Sequence, residues 1–323
     1  MMAFRKKTWG SHFAPWIVVL LIWIVSRIAC AVYVERDTDQ PPPEEARVFV
    51  SDLSETVMQP LDVLPPQQER WRDIAGAAYA RGFRDDFDYS DTHTHQAEVQ
   101  YEDDARTLRG TVNAEALKPS FAYQLKLVGL TPVLGADEVE NVADTRAWSS
   151  WQLGRLGRWW CADCTWNLRD DELAAHLDDG HRVTGYLLFD WLVTDEHGNA
   201  RHEFALDSSL HVLWRVGQRE RGRHDTPPRW YTVTRPPDIY QPAIASTDER
   251  VGLFGEWEPD RPLIGEARLA PGTWEVGFNL TEESFHDNMD EERMLPGGGF
   301  WAWVMQSELQ FEVRSGDPSV AHK

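Results

Sequence analysis

The sequence lacks the short motifs of the common enzyme classes. It contains no G-x-S-x-G, no H-E-x-x-H and no EF-hand spacing. Its one glycine run, residues 297–299, precedes a predicted strand and not a helix, so it is not a phosphate-binding loop. No internal repeat of solenoid length is present. The sequence therefore predicts no catalytic residues and no repeat architecture.

Basic residues are also few, with 32 Lys and Arg against 53 Asp and Glu, which gives a formal net charge of −21. Nucleic-acid binding requires a basic surface that neutralises phosphates, so a nucleic-acid partner is not expected. Hydrophobic residues make up 42% of the chain, which is enough for a packed core and excludes global disorder.

The N-terminus carries the pattern of an export signal. A basic head at residues 5–7 precedes an uncharged apolar run from Pro15 to Val25, and Ala29-Cys30-Ala31 fits a cleavage site. The sequence predicts a signal peptide over residues 1–31; the alternative is an uncleaved signal anchor over residues 15–34. In both cases we expect a periplasmic or cell-surface protein that contacts the membrane only through this segment, either free or anchored to the inner membrane.

Three further regions follow in the predicted organisation. Residues 35–92 form a Pro-rich linker and a helical lead-in, with a helix over residues 67–81. Residues 93–314 form the main domain, which contains an insertion at residues 131–184, and residues 315–323 form a polar tail. Short alternating strands separated by turns predict a mainly β, antiparallel β-sandwich, with a hairpin turn at residues 195–199.

One stretch supports a sandwich of the immunoglobulin or fibronectin kind, or an enlarged variant of it. The residues Leu117-x-Pro119-x-x-x-Tyr123 resemble the tyrosine corner of fibronectin type III domains. The resemblance implies a buried Tyr123 whose hydroxyl bonds back to nearby backbone. It covers seven residues and implies no function.

The two cysteines of the insertion are followed by two histidines. Cys161, Cys164, His176 and His181 have the spacing C-x2-C-x11-H-x4-H, which resembles a Cys2His2 zinc finger with a shortened central gap. Three interpretations remain open: a structural disulfide, a structural site for one zinc ion, and a thioredoxin-like redox pair. The pattern also predicts a helix from residue 168 to about 178, which places His176 on the helix and His181 beyond its end.

A second candidate metal site lies before the first strand of the sandwich. Asp91, His93 and His95 alternate along the chain, so in an extended segment their side chains would share one face. The alternative is an exposed polar loop.

Tryptophan is abundant, with 16 residues, and several of them cluster in the insertion. Aromatic faces stack on sugar rings, so this cluster is a candidate ligand platform; alternatively it forms the small core of the insertion. Its members are Trp148, Trp151, Trp159, Trp160 and Trp166.

The predicted function is a non-catalytic, exported binding or assembly module of the cell envelope, whose partner is an envelope protein or a carbohydrate. The first alternative is a periplasmic zinc- or copper-binding protein. The second is a carbohydrate-active hydrolase, whose carboxylates would come from the acidic stretch around His286, which contains Glu282, Glu283, Asp287 and Asp290.

Overall fold

A computed structural model describes residues 53–61, 69–133, 144–164, 166–218, 221–222, 225–240, 248–258, 260–283 and 301–315. The predicted signal peptide or anchor and all but the first residue of the predicted polar tail lie outside these ranges. The described part of the chain is mainly β, as the sequence predicts.

Fifteen strands and three α-helices make up the described structure. The strands are β1 (Leu53–Val57), β2 (Gln59–Pro60), β3 (Gln96–Glu102), β4 (Asp104–Ala105), β5 (Arg109–Glu115), β6 (Ala122–Gly129), β7 (Arg158–Cys161), β8 (Trp166–Leu168), β9 (Val183–Val193), β10 (Ala200–Ala205), β11 (Leu210–Arg215), β12 (Arg229–Val233), β13 (Glu249–Trp257), β14 (Gly272–Glu283) and β15 (Trp301–Val313). The helices are α1 (Arg81–Asp86), α2 (Thr145–Leu156) and α3 (Asp170–Asp178).

The strands form two sheets. The smaller has the order β1-β3-β5-β10, and the larger has the main order β12-β13-β11-β9-β6-β14-β15-β2, with β4, β7 and β8 attached at its side. The described strand pairs are antiparallel apart from the short pair β4 and β15. The predicted turn at residues 195–199 is present, because the Asp195 N–H donates to the Asn199 carbonyl oxygen at 2.8 Å. The strands on either side of it, β9 and β10, belong to different sheets, so the turn does not close a hairpin.

Alternation within the strands explains how the sheets pack. In β3, every second residue is buried, as expected for a strand with one face on the core. In β6, seven of eight residues are buried, because this central strand is covered on both faces. Phe204 of the small sheet contacts Phe189 and Phe278 of the large sheet, with ring centroids 5.8 and 5.3 Å apart. The two sheets therefore share one core, an arrangement compatible with a β-sandwich.

Helix α2 packs directly against the large sheet at positions where side chains are absent. A Cβ atom on Gly185 of β9 would overlap the Ser150 carbonyl oxygen and the backbone nitrogen of Gly154, both in α2. A Cβ on Gly129 of β6 would overlap Ser150 in the same way. Glycines on both elements thus bring helix and sheet close together, and α2 covers part of the core-facing side of the large sheet, where its Leu153 joins the shared core.

The helix predicted over residues 67–81 is wrong in extent. The chain forms a 3-10 turn at Glu69–Trp71, then isolated bridges from Arg72 to Ala78 and from Tyr79 to Tyr240, and the helix α1 begins only at Arg81. The apolar residues that suggested helical spacing are buried for another reason: Ile74 and Tyr79 lie in separate core clusters on the extended chain. Within the described residues, no helix is both long and apolar enough to span a membrane.

Candidate functional site

A pocket opens on the face of the large sheet opposite the shared core, and we call it the Lys126 pocket. The cavity itself is about 40 Å³ and lies in a wider depression of about 380 Å³ that includes open solvent. Five neighbouring strands and the β7–β8 hairpin supply its lining, which consists of Lys126, Arg158, Trp160, Asn167, Tyr186, His211, Glu283 and Trp303. Such a mixture of aromatic rings and a few polar groups is typical of small-molecule sites.

Strand alternation places these side chains on one face. Leu125 and Leu127 of β6 point into the shared core, so Lys126 between them points to the opposite face. In β14 the same alternation directs Glu282 into the core and Glu283 into the pocket. The pocket therefore depends on the register of adjacent strands and not on a contiguous motif.

A buried ion pair forms part of the wall. The Lys126 Nζ atom lies 3.3 Å from Glu283 Oε2, and their side chains are 7% and 15% exposed. Burial lowers the pKa of Lys126, and the neighbouring Glu283 carboxylate opposes that shift. The ammonium group also lies 5.6 Å from the centroid of the Tyr186 ring. A ligand that enters the pocket meets a charge pair with little competing water.

A hydrogen-bonded chain lines the other side. The Arg158 guanidinium donates to the Tyr186 hydroxyl, which donates to Asn167 Oδ1 at 2.9 Å. Arg158 Nε also lies 3.1 Å from Glu258 Oε2. Burial raises the pKa of Tyr186 to about 12 and the pKa of Glu258 to about 7, and Arg158 opposes both shifts. These groups are fixed in place before any ligand binds.

Three neighbouring polar side chains on this sheet face are buried without hydrogen-bond partners among the described residues. They are Gln124 through Oε1, Asn279 through both amide atoms and Thr281 through Oγ1. Asn279 lies directly opposite Lys126, and Thr281 lies opposite Gln124. Each unpaired buried group costs on the order of 1–3 kcal/mol, so this row favours polar occupants beside the pocket.

The β7–β8 hairpin also holds the two cysteines, one on each side of its turn. Cys161 and Cys164 form a disulfide, and the Cys164 backbone N–H donates to Cys161 Sγ at 3.1 Å. Within the part of the chain that the structure describes, Cys161, Cys164 and His181 are the one group of potential ligands whose donor atoms all lie within 4.8 Å of one another. A disulfide is compatible with an exported protein.

The fourth residue of the predicted zinc set lies beside this group. The predicted helix is present as α3, so His176 is helical and His181 follows its end. The two imidazole ring centroids are 5.6 Å apart. His176 Nδ1 lies 2.9 Å from the Glu172 carbonyl oxygen.

No protein-family model, no curated protein and no solved structure matches this chain. The assignment of a function therefore rests on the geometry of its own residues.

The predicted tryptophan platform is divided between core and pocket. Trp148 packs on Trp274 with centroids 4.8 Å apart, and Trp151 packs on Trp159 at 5.2 Å. Trp159 is 1% exposed and belongs to the small core beside the cysteines. Of the five predicted residues, Trp160 lines the Lys126 pocket. The side chain of Trp166 lies outside the described residues.

The second predicted metal set is not brought together. Asp91 accepts hydrogen bonds from Thr94 Oγ1 at 2.7 Å and from the His93 backbone N–H at 3.3 Å, so its carboxylate closes a local turn. His95 donates from Nδ1 to the Ala116 carbonyl oxygen at 2.5 Å and packs on Phe87. These residues serve the polar loop that was the alternative interpretation.

Tyr123 lies in a buried polar cluster behind the sheet. Its hydroxyl accepts a hydrogen bond from the Lys118 backbone N–H at 3.0 Å and lies 2.7 Å from the Tyr89 hydroxyl. Tyr89 in turn donates to Glu282 at 2.5 Å, and Glu282 pairs with Arg70 and Lys118 at 3.1 and 2.6 Å. Burial lowers the pKa of Lys118 to about 7, opposed by Glu282. All five side chains are buried, so the cluster is structural.

Pro119 belongs to the same region through its backbone. Its carbonyl oxygen accepts hydrogen bonds from the hydroxyls of Tyr79 at 2.6 Å and Tyr240 at 3.4 Å. The segment before β6 is thereby fixed to the chain around residues 79 and 240.

The predicted hydrolase carboxylates do not form a substrate site among the described residues. Glu282 is fully buried and ion-paired, so it cannot contact a substrate. Glu283 lines the Lys126 pocket, whereas His286, Asp287 and Asp290 lie outside the described residues.

A second pocket, of about 850 Å³ including open solvent, lies near the end of β9. Its buried carboxylate, Asp190, is held by His202 Nε2 at 2.7 Å and Arg229 Nη2 at 2.6 Å, and the Arg229 guanidinium lies 3.8 Å from the centroid of the Trp191 ring. These charged groups satisfy one another, and the lining is mostly apolar. The Lys126 pocket is therefore the better site for a polar ligand.

Sequence reasoning missed most of the Lys126 pocket. Its residues come from seven strands, so spacing along the chain gives no signal for the set as a whole. One local signal exists: Lys126 interrupts the apolar strand Leu125-Lys126-Leu127, where a charged side chain is unexpected unless it is paired.

Proposed function

We propose that this chain is an exported, non-catalytic module of the cell envelope that binds a carbohydrate ligand in the Lys126 pocket. In this proposal, the N-terminal segment acts as the signal peptide or anchor, and the described residues form an immunoglobulin- or fibronectin-like sandwich that presents the pocket. The membrane is contacted only through the N-terminal segment.

The observation that carries the proposal is the composition of one pocket wall. Half-buried aromatic rings from Trp160, Tyr186 and Trp303 stand beside the Lys126–Glu283 ion pair. Sugars present apolar C–H faces that stack on such rings, and their hydroxyls donate to carboxylates and accept from ammonium groups.

The Lys126 pocket has fewer carboxylates in its described lining than glycoside hydrolysis uses, which favours binding without hydrolysis. Glycoside hydrolysis uses two carboxyl groups about 5–10 Å apart across the scissile bond. Among the described residues that line the Lys126 pocket, Glu283 is the one carboxylate, and it is paired with Lys126. This arrangement supports recognition more than bond cleavage.

The test is binding of labelled full-length protein to an array of neutral and acidic oligosaccharides, followed by calorimetric titration of the oligosaccharides that bind. Trp160→Ala should weaken binding at least about tenfold, because it removes a stacking surface worth on the order of 1.5 kcal/mol. Trp230→Ala is the matched control, since Trp230 is 48% exposed and outside the pocket. Absence of oligosaccharide binding, or equal loss in both variants, would contradict the proposal.

Zinc binding is the second candidate function and involves other residues. It is favoured by the proximity of the donor atoms of Cys161, Cys164 and His181.

A further inference from the structure

The two cysteines of the β7–β8 hairpin lie beside a histidine, so potential metal ligands other than the disulfide sulfurs are present there. Two sulfur atoms and one imidazole nitrogen lie within 4.8 Å of one another, on residues Cys161, Cys164 and His181. In a tetrahedral zinc site, bonds of about 2.3 Å to sulfur and about 2.0 Å to nitrogen place the donor atoms roughly 3.5–3.8 Å apart. Once the sulfurs separate, shifts of about 1 Å in each of these three donor atoms give the spacing of a zinc site.

We propose that the hairpin, when its disulfide is reduced, binds one zinc ion through Cys161, Cys164, His181 and His176. The proposal deepens the second candidate function, on which it rests, by naming the ligand set and making metal binding dependent on the oxidation state of the cysteines. It involves none of the residues that line the Lys126 pocket.

A backbone donor is already aimed at the first sulfur. The Cys164 N–H lies 3.1 Å from Cys161 Sγ. A disulfide sulfur is a weak acceptor, whereas a thiolate accepts such a bond strongly, because hydrogen bonds to ionised groups are about twice as strong as neutral ones. The same N–H is therefore placed to donate to a zinc-bound Cys161 sulfur.

His176 has the second contact that metal-bound histidines commonly make. Its Nδ1 faces the Glu172 carbonyl oxygen at 2.9 Å, and a carbonyl can only accept, so Nδ1 carries the proton. With Nδ1 facing the carbonyl oxygen, Nε2 is the nitrogen that can bind a metal. Metal-bound histidines typically donate their other ring N–H to a carbonyl or carboxylate in this way. Its ring centroid lies 5.6 Å from that of His181, and its nitrogens lie outside the group of donor atoms within 4.8 Å of one another, so His176 joins the ion through a movement of its side chain.

Other contacts hold His181 against the turn. The neighbouring Arg182 donates from its backbone N–H and its guanidinium to Asp163, both at 2.9 Å. Its carbonyl oxygen accepts from the Ala162 N–H at 3.2 Å, and the His181 N–H donates to the His176 carbonyl oxygen at 3.0 Å. The fold therefore places His181 beside the two sulfurs before any metal binds.

A dithiol reductant supplies all the electrons and protons that opening the disulfide requires. The dithiol supplies two electrons and two protons and becomes a disulfide, while the Cys161–Cys164 bond breaks to give two thiols. Cys164 is the more exposed of the two residues, at 9% against 0% for Cys161, so we expect the dithiol to attack its sulfur. Zinc then replaces the two thiol protons, which pass to solvent.

The experiment compares the full-length protein in two oxidation states. Oxidised and dithiol-reduced samples, freed of reductant under nitrogen, are titrated with zinc against a chromophoric chelator, and free thiols are counted in parallel. We expect one zinc per reduced chain and none per oxidised chain. Cobalt in place of zinc should show the absorption of a tetrahedral, thiolate-bound ion. A reduced chain with free thiols that binds no stoichiometric zinc would overturn the proposal.

Two variants identify the ligands. His181→Gln keeps both thiols and should weaken zinc binding at least about tenfold, the lower end of the loss seen when even a supporting partner of a metal ligand is removed. His197→Gln is the control, because His197 is exposed in the turn between β9 and β10. Equal zinc affinity in His181→Gln and the control would contradict the ligand assignment. Oligosaccharide binding by the oxidised chain tests the Lys126 pocket separately.

Discussion

Lys118 and Glu282 form an ion pair in which neither side chain is exposed, with Nζ 2.6 Å from Oε1. Lys118 precedes the β6 strand, and Glu282 lies near the end of β14, so the pair joins two segments 164 residues apart at the back of the sheet. Arg70 shares the carboxylate, and the Trp71 ring lies 4.4 Å from the ammonium group. The pair stabilises the end of β14, where the next residue, Glu283, points to the opposite face of the sheet.

Glu282→Gln should therefore destabilise the protein strongly. The variant leaves the positive charges of Lys118 and Arg70 buried without a counter-charge, which typically costs about 3–5 kcal/mol. The free energy of unfolding, measured by urea titration, is the readout. Asp85→Asn is the matched control, because the Arg81–Asp85 pair is exposed and should leave stability unchanged. A Glu282→Gln variant as stable as the control would show that the buried ion pairs of Glu282 with Lys118 and Arg70 do not stabilise the fold.

The contact between α2 and the large sheet predicts a steric effect. Gly185→Ala should destabilise the protein by about 1–3 kcal/mol or more, because the added methyl group overlaps backbone atoms of Ser150 and Gly154. Gly82→Ala is the control: nothing lies within 4 Å of its Cβ position, and alanine favours helix α1 by about 0.5–1 kcal/mol. Thermal unfolding of both variants should shift in opposite directions. A stabilising Gly185→Ala would mean that the helix does not pack against β9.

Glu258 predicts a pH dependence of stability. Burial raises the pKa of its carboxyl to about 7 in the folded chain from 4.5, so the folded state holds this proton more tightly than the unfolded state. The contribution of the protonated Glu258 carboxyl to the free energy of unfolding is complete below pH 4.5. It is lost as the pH rises to about 7, and the loss is on the order of 3 kcal/mol in total. The difference in unfolding free energy between the wild type and Glu258→Gln should fall over this range. Glu203→Gln, at an exposed position, should show no such trend.

Removal of the disulfide should have a modest effect. Cys161 and Cys164 are three residues apart, and closing so short a loop contributes only about 2 kcal/mol through the unfolded chain. The measurement is the difference in unfolding free energy between the oxidised wild type and the double variant Cys161→Ala/Cys164→Ala, from urea titrations with a chelator present. The reduced, metal-free wild type is the comparison for the effect of the substitutions themselves. A complete loss of folding would show that the bond supports far more of the insertion than its small core.

Local patterns predicted the elements well and the site poorly, for a physical reason. Strands such as β3 and β14 have strict alternation, and the helix α3 has a capping box in which Arg169 N–H donates to Glu172, so neighbouring residues alone specify them. The helix α2 was not anticipated, because its contact with the sheet depends on distant glycines. The Lys126 pocket requires the register of seven strands, which sequence spacing does not contain.

Successive side chains of β7, in the β7–β8 hairpin, point to opposite faces of the sheet. Trp159 and Cys161 point into the small core of the insertion, whereas Arg158 and Trp160 point into the Lys126 pocket. If the Lys126 pocket binds a carbohydrate as proposed, substitutions at positions 158 and 160 would change the ligand preference while leaving the sulfur pair intact. The hairpin would then be a segment whose binding surface can diversify while its disulfide and core contacts are preserved.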